Sequence, residues 1–210
     1  VVNNVETLAA IPGILKHGAK SFSSIGNVKS AGTKLVCLDS LFKNPGVYEM
    51  DMGTPMKKII YDIGGGFIKP VKALQVGGPL GGVIPIKEVE KLNLDFQEFT
   101  KAGFMLGHGS IVSIPEDFNM IKYIHHLFKF SAEESCGKCF PGRLGSYRGK
   151  EMFDQAINKT NKIPIKLLNE LLVTMQKGSL CALCGAIPLP IQNILKYFTN
   201  EFKTDINQEA

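Results

Sequence analysis

The sequence predicts an α+β protein in two parts: a small mixed sheet crossed by one helix, then four amphipathic helices. Three observations carry that prediction. Between Thr33 and Val76 the apolar pattern runs hairpin, helix, strand. After Pro115 apolar residues recur at helical spacing. Four of the five cysteines form two matched pairs, Cys136-Gly-Lys-Cys139 and Cys181-Ala-Leu-Cys184, at joints between those helices.

Residues 1 to 25 hold one apolar helical stretch, Val5, Leu8, Ala9, Ile11 and Pro12, then a Gly/Ser-rich connection through Gly18 and Gly26. That is too little apolar surface for a domain of its own. Lys34 to Leu38 reads as a strand, Asn44-Pro-Gly46 as a turn and Val47 to Met50 as the returning strand. Thr54 is placed to cap a helix with Pro55 at its first position. Met56, Ile59, Ile60 and Ile63 supply the apolar face, and Gly64-Gly-Gly66 the stop. Val71 to Val76 is a further strand and Ser110 to Ile114 the last one. This order is that of a small β-grasp domain, in which one helix packs across a mixed sheet.

Asp117 is placed to cap the next helix, whose stripe is Met120, Ile121, Ile124, Leu127 and Phe128. A second helix is expected between Leu144 and Ile157. Leu167, Leu168, Leu171, Leu172 and Met175 form a third after Pro164, and Ile191, Ile194, Leu195 and Phe198 a fourth after Pro190. Four such helices with short joints read as a bundle.

Composition excludes several classes. With 44 % hydrophobic and 20 % charged residues the chain has the balance of a folded globular protein rather than a disordered one. No apolar run approaches the ~18 residues of a membrane span, and no basic-then-apolar signal opens the chain, so a soluble, cytoplasmic protein without direct membrane insertion is expected. The net charge of +5 comes from scattered lysines not interleaved with aromatics, which argues for a solvated surface and against nucleic-acid binding. Val1 at the start is what a fragment or processed product would show.

Two thiolates two residues apart can share one soft-metal centre, and two such pairs complete a four-thiolate site. Cys136, Cys139, Cys181 and Cys184 are therefore the candidate ligands. Both a [4Fe-4S] cluster and zinc suit four thiolates, and the interval between the pairs, longer than the ~15 to 20 residues of zinc ribbons, favours iron. An odd cysteine count fits a fully paired disulfide framework poorly. Cys37, inside a predicted strand, is expected to be a small buried hydrophobe. His125 and His126 point about 100° apart on a helix and cannot grip one metal, so one is expected at the core edge and one in solvent. His17 and His108 have no obvious partner. The glycine runs 64–66, 77–82 and 107–109 lack dinucleotide or Walker spacing and read as tight turns or close backbone approaches.

Five stretches then resemble one family in order: Val2-Asn-Asn-Val-Glu-Thr-Leu8, Ile60-Tyr-Asp-Ile-Gly-Gly-Gly66, Gln75-Val-Gly-Gly-Pro79, Glu134-Ser-Cys-Gly-Lys-Cys139 and Ser179-Leu-Cys-Ala-Leu183. They resemble the NADH-binding flavoprotein subunit of respiratory complex I and the related subunits of NAD-dependent hydrogenases and formate dehydrogenases. The resemblance covers the chain up to about Phe202. It implies a Rossmann-like FMN and NADH domain, a β-grasp domain of the soluble-ligand-binding, ubiquitin-like type and a helical bundle with one [4Fe-4S] cluster. Only the closing part of the first would be present, giving boundaries of 1–25, 26–117 and 118–202 with a tail at 203–210. Asn3 and Asn4 would approach FMN. FMN and NAD(H) would be held only with an upstream domain or a partner chain.

The chain departs from the family pattern at one point. Where the resemblance implies a third cysteine separated from Cys139 by two residues, Gly142 stands, and where it implies a glycine after Cys-Ala-Leu, Cys184 stands. Four thiols remain, and Cys184 is expected to replace the lost ligand, the alternatives being a three-thiolate cluster with an open iron, a zinc site or no metal at all. Lys138 and Arg143 beside the thiolates are expected to offset cluster charge or simply to be surface charge. The expected function is electron transfer between FMN and iron-sulfur centres in an NADH-oxidising or NAD-reducing assembly. Expected partners are a thioredoxin-like [2Fe-2S] subunit and a larger multi-cluster subunit, and through them the inner membrane periphery. The alternative is a non-catalytic structural or assembly module stapled by zinc or a degenerate cluster.

Overall fold

The computed structural model describes residues 1–207 of the 210-residue chain. The chain forms two compact units, one of Val1–Gly78 with Ile84–Ile114, the other of Pro79–Val83 with the chain from Pro115 onward.

The first unit opens with helix α1 (Val5–His17), capped by the Asn4 side chain, which accepts the Glu6 N–H at 2.9 Å. None of its residues is buried, and Val5, Leu8, Ile11 and Leu15 all stay exposed. A mixed five-stranded sheet follows, built from β1 (Thr33–Leu38), β2 (Gly46–Asp51), β3 (Val71–Val76), β4 (Gly82–Pro85) and β5 (Ser110–Pro115) in the order β2-β1-β5-β3-β4. β1 and β2 pair antiparallel, Thr33 opposite Asp51 and Leu38 opposite Gly46, whereas β5 runs parallel to β1 with Cys37 opposite Ser110. The predicted hairpin and both later strands are present, and β4 and the short helix Phe96–Lys101, capped by Asp95, are additions.

Three local expectations are corrected. Cys37 is exposed, because Lys34, Val36 and Leu38 take the inward positions of an alternating strand and leave odd residues on the outer face. Thr54 does not cap a helix: its hydroxyl donates to the Asp51 carbonyl at 2.7 Å, closing the turn after β2. The helix begins at Met56 and widens into a π turn at Ile59–Ile63, with Gly64 N–H reaching the Ile59 carbonyl at 2.9 Å. The glycine runs 77–82 and 107–109 do mark a close backbone approach: a β-carbon on Gly77 would stand 2.4 Å from the Leu106 carbonyl oxygen.

The second unit is helical. Its helices are α2 (Met120–Glu134), α3 (Ser146–Ile157), α4 (Ile165–Gly178), the short α5 (Ala182–Ala186) and α6 (Pro188–Tyr197). The predicted stripe of α2 is buried in full, but its cap is Asn119, whose side chain accepts the Lys122 N–H at 3.1 Å, and not Asp117. α2 and α3 approach closely because Gly149 has no side chain: a β-carbon there would lie 2.1 Å from the Phe128 ring. The Phe128 and Phe153 rings then meet at 5.8 Å. Residues 203–207 of the predicted tail are described, and Ile206–Asn207 pair with Ile163–Pro164; residues 208–210 lie outside the described residues. Among the described residues no helix is long and apolar enough to cross a membrane.

Candidate metal centre

The loop between α2 and α3 carries Cys136 and Cys139 and is shaped by its own backbone. Gly137 takes a positive φ of 71°, its N–H donates to Ser135 Oγ at 3.3 Å, and its carbonyl accepts Arg143 Nη1 at 3.3 Å. Arg143 also lies over the Phe140 ring, 5.0 Å from its centre, so its guanidinium clasps the loop rather than trailing in solvent. The Arg143 N–H closes onto the Cys139 carbonyl at 2.9 Å and starts the wide turn Pro141–Gly145 that leads into α3. The second pair sits on the loop after α4. Cys181 is the N-cap residue of α5 and Cys184 lies one turn inside it.

The two loops meet at Gly142. A β-carbon built on this glycine would lie 3.0 Å from Cys139 Sγ, 3.1 Å from Cys184 Sγ and 3.3 Å from Cys184 Cβ. The side chain of Cys184 therefore fills the space that a side chain at 142 would need. The two sulfurs are no further apart than the sum of their distances to that point. Cys184 is buried, with 2 % of its surface exposed, and the buried Ser131 hydroxyl of α2 faces its sulfur at 3.6 Å.

The surroundings of Cys139 favour a thiolate. Backbone N–H groups of Leu180 and then Gly142 point at its sulfur. With the Cys139 N–H they outweigh some desolvation and hold the thiol below its ordinary value. The buried Ser179 hydroxyl oxygen nearby has no hydrogen-bond partner.

Cys136 and Cys181 are exposed. Among the described residues no three or more His, Cys, Asp or Glu side chains converge as one metal ion would require. A mononuclear zinc site needs its sulfurs gathered at ~2.3 Å from one point. A four-iron cluster spreads them, since each thiolate binds a different iron. The soft sulfurs of Cys139 and Cys184, brought together at Gly142, are donors that a four-iron cluster accepts.

The histidines stay apart from this site. His125 Nε2 is 2.7 Å from Asp154 Oδ1 at the core edge, and His126 is exposed. Lys138 is exposed too. Asn3 and Asn4 are exposed at the start of α1, in the other unit. Asn4 lines a cleft of about 740 Å³ there with Glu6, Thr7, Lys34 and His108. Sequence reasoning missed Ser131 and Ser179; a serine inside the otherwise apolar stripe of α2 was the available signal.

Residues 122–205 match the NADH-ubiquinone oxidoreductase-F iron-sulfur binding region. The chain is 35 % identical over its full length to the NADP-reducing hydrogenase subunit HndC of Solidesulfovibrio fructosivorans, covering 43 % of that protein. Over 99 % of its length it is 34 % identical to the F subunit of the NADH-quinone oxidoreductase of Escherichia coli (strain K12), covering 47 % of it. A crystal structure of an NAD+-reducing [NiFe]-hydrogenase in the H2-reduced state superposes with a TM-score of 0.88 at 25 % identity, over 99 % of this chain and 35 % of that one. The chain thus spans half or less of the length of each of these proteins.

Proposed function

We propose that this chain, which carries a match to the NADH-ubiquinone oxidoreductase-F iron-sulfur binding region at 122–205, is the electron-transfer portion of an NADH-oxidising or NAD-reducing flavoprotein subunit of the kind its relatives represent. Its [4Fe-4S] cluster would be held by Cys136, Cys139, Cys181 and Cys184. When bound, such a cluster supplies one-electron transfer at a potential set by its protein surroundings. The observation that supports the reading best is the Cys184 sulfur beside Gly142, the position at which the resemblance implies a thiolate.

In this reading the residues around the thiolates have separate tasks. Leu180 and Gly142 N–H groups stabilise the Cys139 thiolate, and Arg143 braces the Cys136 loop through the Gly137 carbonyl while bringing positive charge near the sulfurs. Residues 1–25 would close an FMN site, with Asn3 and Asn4 at its edge, and residues 26–117 and 118–202 would be the β-grasp domain and the four-helix cluster bundle. FMN and NAD(H) would need the remaining half of a full-length subunit or another chain. Partners would be a thioredoxin-like [2Fe-2S] subunit and a multi-cluster subunit, placing the protein peripherally at a membrane only through them. Exposed Phe140, Leu144 and Tyr147 at i, i+4, i+7 and exposed Leu180 form an apolar rim beside the cysteine loops that suits such docking.

The test is metal analysis with electron paramagnetic resonance on anaerobically purified protein. About four irons per chain and a reduced-cluster signal support the reading. Zinc, or no metal, sinks it in favour of a structural module.

A further inference from the structure

We propose that Ser131 is a positioning residue for the cluster: its hydroxyl donates a hydrogen bond to the Cys184 thiolate and raises the reduction potential of the centre. The inference rests on Cys184 being a ligand, as proposed above.

Ser131 is fully buried within α2, in a stripe whose other inward residues, Met120, Ile121, Ile124, Leu127, Phe128 and Ala132, are apolar. A hydroxyl in such a place costs roughly 1–3 kcal/mol if it has no partner. Its partner is Cys184 Sγ at 3.6 Å, itself buried. Between a thiol and a hydroxyl either atom could donate. Once the sulfur is a metal-bound thiolate it has no proton, and the hydroxyl becomes the only donor.

The relocation of the ligand gives this contact its consequence. A ligand carried at position 142 would approach from the turn that leads into α3, whereas Cys184 reaches the same space from α5 and places its sulfur against α2. A hydrogen bond to a ligand sulfur withdraws electron density and favours the more negative, reduced state of a cluster. The low dielectric of a buried contact strengthens that effect. Ser146 supplies a contrast: it is equally buried, but its hydroxyl donates to the Gly142 carbonyl at 2.6 Å and not to a sulfur.

The experiment is a redox titration of the anaerobically loaded chain, read by electron paramagnetic resonance, for the wild type, Ser131→Ala and Ser146→Ala. The expected result is that Ser131→Ala keeps its iron but shows a reduced-to-oxidised ratio about three- to tenfold lower at fixed poise, at about 59 mV per tenfold for a one-electron couple. Ser146→Ala should alter thermal stability with little change in potential. Should Ser131→Ala not fold, Ser131→Thr against Ser131→Val isolates the hydroxyl at constant shape, with the threonine expected at the higher potential. An unchanged potential in a fully loaded Ser131→Ala, or equal potentials for the threonine and valine proteins, overturns the proposal while leaving the cluster intact. Wild-type protein that takes up no iron overturns the ligand assignment and this inference with it, and the two failures are told apart by the wild type alone.

Discussion

The sulfur of Cys184 lies 3.1 Å from the point where a β-carbon on Gly142 would stand. Two side chains cannot share that space, so a cysteine at one position implies a small residue at the other. Gly142→Cys alone should therefore be harmful even though it adds a thiol, because its β-carbon would press on both Cys139 Sγ and Cys184 Sγ. Cys184→Ala should lose most bound iron. The double exchange Gly142→Cys with Cys184→Gly should recover it, which iron analysis of the three proteins would show. Recovery of less iron in the double exchange than in Cys184→Ala would mean that the two positions are not alternatives.

Gly149 tests the helix packing that supports the site. Its absent β-carbon would fall 2.1 Å from the Phe128 ring, in a buried contact between α2 and α3. Alanine normally gains up to about 1 kcal/mol over glycine within a helix. Here overpacking should outweigh that gain, and Gly149→Ala should destabilise by about 1–3 kcal/mol, lowering the thermal midpoint by several degrees. A midpoint at or above wild type would show that the two helices can part without cost.

The parts legible in the sequence were those governed by periodicity. The α2 stripe, the β1–β2 hairpin and the placement of both cysteine pairs at helix joints follow from spacing of residue types, and the structure repeats them. The exchange of cysteine and glycine between 142 and 184 was implied by the family resemblance. The aim of the Cys184 sulfur was not, because it depends on tertiary packing such as that of the end of α4 against Pro141, which stands 3.0 Å from a β-carbon built on Gly178. Thr54 and Asp117 show the same limit at smaller scale: each is a good cap by type, and a local turn at Asp51 or the better-placed Asn119 decided otherwise. Lys34 at an inward strand position was illegible without its partner, since only the approach of α1 supplies Glu6.

Asp95 gives a pH dependence whose sign can be worked out. Burial alone would raise its pKa, but the Asn27 amide at 2.6 Å and the Gln97 and Glu98 N–H groups at 2.8 Å outweigh burial and hold it below its ordinary value. A carboxylate bound more acidic in the folded state contributes stability that is complete above its unfolded pKa of about 3.9 and is lost as pH falls through the lower folded value. Asp95→Asn can still cap the helix but carries no charge. Its deficit against wild type should be full near neutral pH and shrink in acid, read from urea midpoints by circular dichroism. Asp95→Ala should cost about 0.5–2 kcal/mol more broadly through loss of the cap. A deficit for Asp95→Asn that is constant with pH would remove the charge from the account.

The ion pair that ties α1 to the sheet is unequal, and the inequality predicts which partner matters more. Lys34 is 8 % exposed and Glu6 31 %, with a second Glu6 oxygen accepting the Leu35 N–H at 3.0 Å. Lys34 and that N–H outweigh burial, which by itself would raise the Glu6 carboxyl, and hold it below its usual range. Removing Glu6 strands a buried ammonium with nothing to neutralise it. Removing Lys34 leaves a carboxylate that water can still reach. Glu6→Gln should thus cost roughly 2–4 kcal/mol and Lys34→Met clearly less, since replacing a buried charge by an apolar chain of similar length relieves its desolvation. Hydrogen exchange should show α1 opening in both proteins, because either change unties it from β1, with the larger loss of global stability confined to Glu6→Gln. Equal losses in the two would mean that the contact acts through geometry alone and that burial of Lys34 has no energetic weight.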